Sequence, residues 1–119
     1  MRVLFVDDEV EFLQLMEKRL SRRGMEVSTA PDGQRALELL DATLADGGEM
    51  FKVVVMDGLE TLRRMKAKAP ALPVILLTGH ACMGVAVQGM DLGAYDYMLK
   101  PVSISELIIK MEEAARSAV

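Results

Sequence analysis

Short apolar runs alternate along this chain with longer stretches in which apolar positions recur every three or four residues, and the two periods predict strands and helices in strict succession. The first strand runs from Arg2 to Asp7. The first helix covers about Val10 to Arg23, with Phe12, Leu13, Leu15, Met16 and Leu20 on its inner side and Gly24 as its stop. Met25 to Ala30 forms a short second strand, and Pro31-Asp32-Gly33 turns the chain into a second helix over about Gln34 to Leu44, whose stripe is Ala36, Leu37, Leu39 and Leu40. After a break at Asp46-Gly47-Gly48, Lys52 to Asp57 makes the third strand and about Leu59 to Ala69 the third helix, closed by Pro70 and Pro73. Val74 to Leu77 is apolar enough for an interior strand and ends at Thr78-Gly79. A fourth helix over about Met83 to Leu92, a fifth strand from Tyr95 to Leu99 and a last helix from about Ser105 to Arg116 complete the series. This order predicts an α/β fold, a doubly wound five-stranded parallel sheet with five helices on its two faces.

Composition narrows the class. At 119 residues the chain holds one domain with a real core. Hydrophobic residues make up 51% of it, yet no apolar stretch approaches the roughly 20 residues of a membrane helix, and the N-terminus lacks the regions of a signal peptide, so the expected address is cytoplasmic with no membrane partner. A net charge of -4 leaves no basic footprint for direct nucleic-acid binding. The cluster Lys18-Arg19-Arg22-Arg23 falls at a helix end, where cations complement the dipole. The lone Cys82 reads as a small packing residue, and Met16, Met65, Met90 and Met111 as core filler.

The informative chemistry lies at the strand ends. Asp7 and Asp8 stand together after Val3-Leu4-Phe5-Val6, and adjacent carboxylates at the mouth of a buried strand call for a cation, for which a hard divalent ion suits the oxygen donors. The alternative is that the pair only opens the helix that follows, capping its amides. Asp57 ends a second apolar run, Val53-Val54-Val55-Met56, and parallel strands bring such ends to one crevice. With Thr78 and Lys100 at two further strand ends, the set offers a nucleophile, metal ligands, a hydroxyl donor and a cation, the parts needed to move a phosphoryl group onto a carboxylate.

Three runs match a known family in order: Val3-Leu4-Phe5-Val6-Asp7-Asp8-Glu9, Leu76-Leu77-Thr78-Gly79-His80, and Gly93-Ala94-Tyr95-Asp96-Tyr97-Met98-Leu99-Lys100-Pro101. Over residues 1–119 the chain resembles the receiver domain of two-component response regulators, with its flavodoxin-like, CheY-like fold. The resemblance implies that Asp57 accepts phosphate from a sensor histidine kinase or phosphotransfer protein. It implies Mg²⁺ held by Asp7, Asp8 and Asp57, Lys100 against a phosphoryl oxygen, and a switch made of Thr78 and Tyr97. His80 is then a loop residue, since the donor histidine belongs to the kinase. The chemistry would be the domain's own phosphorylation and dephosphorylation, not enzymatic turnover of a separate substrate. An effector domain or downstream protein would read the face of the fourth helix, fifth strand and fifth helix, and a homodimer would form through the last helix.

The chain departs from the family after Asp57. Gly58-Leu59-Glu60 follows at once, about seven residues short of the usual connection, where roughly 2–6 residues are the norm for compact domains. Asp57 is then either the acceptor with the loop deleted behind it, or the acid that often precedes Gly-Leu-Glu, the acceptor being lost. In the first case the backbone carbonyl of Leu59 inherits the loop's role at the metal if Gly58 turns sharply. In the second the chain is a degenerate receiver, an interaction module that works without phosphorylation. An unrelated flavodoxin-like cofactor binder would need a phosphate-cradling glycine loop after the first strand, where Asp7-Asp8-Glu9 stands instead.

Overall fold

Val3-Leu4-Phe5-Val6 and Val53-Val54-Val55-Met56 are apolar at successive positions, which suits strands covered above and below, and the computed structural model puts both runs inside one sheet. It describes residues 1–47, 49–79 and 83–117; Gly48, His80 and Cys82 lie outside the described residues. The elements alternate as β1 (Arg2–Val6), α1 (Val10–Ser21), β2 (Glu26–Ala30), α2 (Gly33–Asp46), β3 (Val53–Met56), α3 (Leu59–Lys68), β4 (Val74–Thr78), α4 (Met83–Asp91), β5 (Asp96–Leu99) and α5 (Ile104–Ser117). The five strands are parallel in the order β2-β1-β3-β4-β5, so β3 is central and β2 and β5 are edges.

Side chains alternate across a strand, and the two cores follow that period. Val3, Phe5, Val53, Val55, Ile75 and Leu77 meet α1 through Leu13, Met16 and Leu20, and α5 through Leu107, Ile108 and Met111. Their neighbours Leu4, Val6, Val54, Met56, Val74 and Leu76 face the other way, onto Ala36 and Leu40 of α2 and Leu62 and Met65 of α3. A doubly wound sheet results because each interior strand is apolar on both faces. Truncating any one of the buried leucines or methionines, or Ile75, to alanine costs about 2–5 kcal/mol.

Two expectations about burial fail. Leu15 is 45% exposed, because one residue past it, ~100° around the axis, Met16 takes the inward position. Met90 is 42% exposed on α4, whereas Met16, Met65 and Met111 are buried as expected. Helix ends also move. α1 stops at Ser21 because Arg23 and Gly24 donate to Leu20 and Ser21 carbonyls three residues back, and Gly24 reverses the chain at φ +86°. α2 runs on to Asp46 and ends at Gly47 with φ +69°. Asp7 and Asp57 each lie one residue beyond the strand they were assigned to.

Candidate functional site

β1 and β3 are neighbours, with Phe5 opposite Val55, so the residues that leave their carboxyl ends emerge side by side. Asp7, Asp8, Asp57 and Asp32 line one cleft of about 320 Å³ with Gly58. Asp32 is the N-cap of α2, where its carboxylate accepts from the Arg35 N–H at 2.8 Å.

Asp7 is almost fully buried, at 5% exposure, and both its oxygens are engaged. Oδ1 accepts from the Glu9 N–H at 2.9 Å, while Oδ2 accepts from Lys100 Nζ at 2.6 Å. Asp7 thus caps no amide of α1, whose N-cap is Glu9 without a side-chain cap hydrogen bond, and the cation it meets is a lysine of the protein, not the divalent ion expected. Lys100 also donates to Glu9 Oε1 at 3.2 Å and stands 4.6 Å from the centroid of the Phe12 ring, whose face attracts a cation. Phe12 is itself set by an edge-to-face contact with Phe5 at 5.8 Å. Burial works against the charged amine, but the hydrogen bonds and charges of Asp7 and Glu9 outweigh it and hold Lys100 above the usual lysine value. Its backbone is anchored too. Lys100 N–H donates to the Thr78 carbonyl at 2.7 Å, and a cis peptide bond to Pro101 follows.

Asp57 has different surroundings. It is exposed, and its side chain makes no hydrogen bond or ion pair with a described residue. Gly58 behind it has φ +109°, a conformation that glycine adopts without a β-carbon penalty, and α3 starts at once with Leu59, partly buried. Thr78 is buried at the end of β4, and Tyr97 is half-buried on the edge strand β5. Tyr97 is the ladder partner of Leu76 and packs against the core on the α2/α3 face. Thr78, two positions beyond Leu76, shares that face of the sheet.

Of the expected residues, Asp7, Asp8 and Asp57 share the cleft, whereas Lys100 lines a separate hollow with Glu9 and Phe12, and Thr78 and Tyr97 line neither. A carboxylate oxygen from each of Asp7, Asp8 and Glu9 lies within 4.8 Å of the others, a set of hard donors that could hold a divalent ion; Asp57 faces the same cleft but is not in that trio. Asp7, Asp8, Glu9, Asp32 and Asp57, five carboxylates against one ammonium, leave a surplus of negative charge that suits such a cation. The sequence reading assigned no part to Glu9, to the Phe12 ring or to Asp32. The run Asp7-Asp8-Glu9 carried a signal for Glu9 as a third adjacent carboxylate. Phe12 carried none beyond its apolar period.

These features have parallels among known proteins. The profile of the response regulator receiver domain family matches residues 3–112. The chain is 32% identical over 117 residues to the transcriptional regulatory protein ZraR of Escherichia coli K12, a match that takes in 94% of this chain and 26% of ZraR. It is 33% identical over 116 residues to the response regulator MprA of Mycolicibacterium vanbaalenii, covering 97% of this chain and 50% of that protein. The chain therefore spans about a quarter to a half of the length of these relatives. Among solved structures, a response regulator receiver domain protein from Clostridium thermocellum superposes with a TM-score of 0.89 at 31% identity, over 98% of this chain and 94% of that one. With the five-stranded parallel sheet and the acidic cleft at its strand ends, these matches mean that the chain belongs to the response regulator receiver domain family.

Proposed function

We propose that residues 1–119 act as a phospho-accepting receiver in a two-component phosphorelay, taking a phosphoryl group onto Asp57 from a sensor histidine kinase or phosphotransfer protein. The observation that carries this reading is the shared cleft. Asp57 opens onto it with no partner among the described residues, beside Asp8 and beside Asp7, whose charge a tethered ammonium offsets. An exposed carboxylate without a competing partner is free to attack phosphorus.

In the transfer an Asp57 oxygen forms a bond to phosphorus as the phosphorus–nitrogen bond to the donor imidazole breaks, and the imidazole leaves with a proton from solvent. Asp7, Asp8 and Asp57 would hold Mg²⁺, with Glu9 at hand beside the first two. The expected further oxygen from Leu59 is lost, because Leu59 is the first residue of α3 and its carbonyl points along the helix, away from the cleft. When bound, the ion neutralises charge between the acids and the phosphoryl oxygens. Lys100 would contribute a compact point charge beside Asp7, and the Thr78 hydroxyl would donate to a phosphoryl oxygen. Drawing Thr78 inward frees space on its face of the sheet into which Tyr97 turns, so that charge at Asp57 is read on β5. An effector domain or downstream protein would read this change on the α4, β5 and α5 face, and a second copy of the chain would pair there.

A second reading has support of its own. Lys100 already pairs with Asp7 and Glu9, and the β3–α3 connection is only Asp57 and Gly58, both of which suit an interaction module that needs neither metal nor phosphate. The mass of the protein after incubation with Mg²⁺ and acetyl phosphate decides between them. The proposal expects a donor-dependent adduct that disappears in Asp57→Asn. No adduct together with no Mg²⁺ binding would replace it with the interaction module.

A further inference from the structure

Asp57 and the first residue of a helix are only two positions apart. The carbonyl of Gly58 already accepts the first helical hydrogen bond, from Leu62 N–H at 3.3 Å, so Asp57 is joined to a rigid rod and not to a loop that could absorb its movement. At the head of that rod Leu59 packs into the core that contains Leu62, Leu76 and Met56. α4 reaches the same place from outside. A β-carbon on Gly89 would overlap Leu76 Cδ1 and would stand 3.7 Å from Leu59 Cδ2. Glycine is a poor helix former in the interior of α4, and the close approach of its backbone to these two leucines is the reason it suits this position. Leu76 is also the ladder partner of Met56, the residue before Asp57. Both chain neighbours of the acceptor region, Met56 through the sheet and Leu59 through α3, thus converge beneath Gly89.

We infer that Leu59, Leu76 and Gly89 form a steric coupling between Asp57 and α4 that operates without the Thr78 hydroxyl. Packed interfaces pass between discrete arrangements instead of deforming smoothly, so a shift of the first turn of α3 displaces α4 across Gly89. The outer side of α4 presents Val87 and Met90, both exposed, and that displacement redirects them. Phosphorylation as the input rests on the reading of Asp57 as acceptor; the mechanical link does not.

Hydrogen exchange on the full chain, read by mass spectrometry, tests the two separately. Without any donor, Gly89→Ala speeds exchange of amides 59–63 by at least about fivefold, the lower end of usual coupling factors, and Leu59→Ala does the same to amides 84–91. Should Gly89→Ala fail to fold, the reciprocal half is carried by Leu59→Val. Changes confined to the mutated helix would overturn the coupling. With Mg²⁺ and beryllofluoride, the response of α4 persists in Thr78→Ala and vanishes in Thr78→Ala combined with Leu59→Ala. Its loss in Thr78→Ala alone would overturn the independence from that hydroxyl. A positive result in the donor-free experiment with no adduct on Asp57 would sink the acceptor reading and leave the coupling in place.

Discussion

Asp7 and Asp57 leave neighbouring strands side by side and meet opposite surroundings. The exit of β1 is bound up by the protein itself: Asp7 is buried, hydrogen-bonded to the Glu9 amide and ion-paired with Lys100, which Glu9 and the Phe12 ring hold in turn. The exit of β3 is exposed, carries no such bonds among the described residues, and turns on one glycine. A group meant to hold a cation gains from fixed geometry, because each oxygen is aimed before the ion arrives. A group meant to form a new bond has to keep its oxygens free. The contrast suits a division of labour between a preorganised acid and an available one.

The strongest test of this contrast is to remove the two carboxylates' functions in turn. Asp57→Asn is expected to abolish the donor-dependent adduct in the mass spectrum while changing stability by no more than about 0.5 kcal/mol, as for other exposed positions. Lys100→Met is expected to do the reverse to folding. It leaves Asp7 buried without its partner and lowers stability in urea by about 3 kcal/mol, the low end for a broken buried pair because the amine keeps some exposure. With its competitor removed, the Asp7-Asp8-Glu9 trio should bind divalent cations more tightly in calorimetry. A weaker affinity would show that Lys100 organises the trio instead of competing for it.

On the β3 side, Gly58→Ala forces a β-carbon onto φ +109° and is expected to cost about 1–3 kcal/mol in urea unfolding, despite the open space around it. A neutral result would mean that the turn relaxes and the connection is looser than a rigid joint. Asp32→Ala removes the cap of α2 at the cleft rim, with an expected loss of ~1 kcal/mol.

The smallest effect is on pH dependence. Because its folded pKa is raised, the stability Lys100 contributes is complete below the ordinary value of 10.5 and declines as pH rises through the raised value. Lys110, raised by its hydrogen bond to Asp96, acts with the same sign. Lys66, lowered by burial, acts with the opposite one, since stability rises as pH passes upward from its depressed value toward 10.5. Comparing wild type with Lys100→Met cancels the other two, and their stability difference should narrow above about pH 10.5. A difference that stays constant would mean that packing on Phe12, not charge, holds Lys100 in place.

The alternation of elements was legible because it is written locally. Four-residue apolar runs such as Val53-Val54-Val55-Met56 can only be satisfied by burial on both faces, and Gly24 and Gly47 end helices by a backbone conformation that glycine adopts freely. The strand-end acids were legible for a related reason. A carboxylate directly after a buried run marks where the strand ends, and parallel strands gather such ends on one side of the sheet. Leu15 and Met90 were misread because an apolar residue at helical spacing has the same period on the flank of a stripe as at its centre.

By itself, then, the sequence determined the five-stranded parallel sheet, the helices on its two faces, and the meeting of Asp7, Asp8 and Asp57 at its carboxyl end, all of which follow from periodicity and burial along neighbouring residues. Only the tertiary structure decided which cation Asp7 meets, that the Phe12 ring lies beside Lys100, and that Gly89 lets α4 press on Leu59 and Leu76. Those contacts join residues up to 93 positions apart, and no local period records which side chains the closing of the sheet brings within a few ångströms of one another.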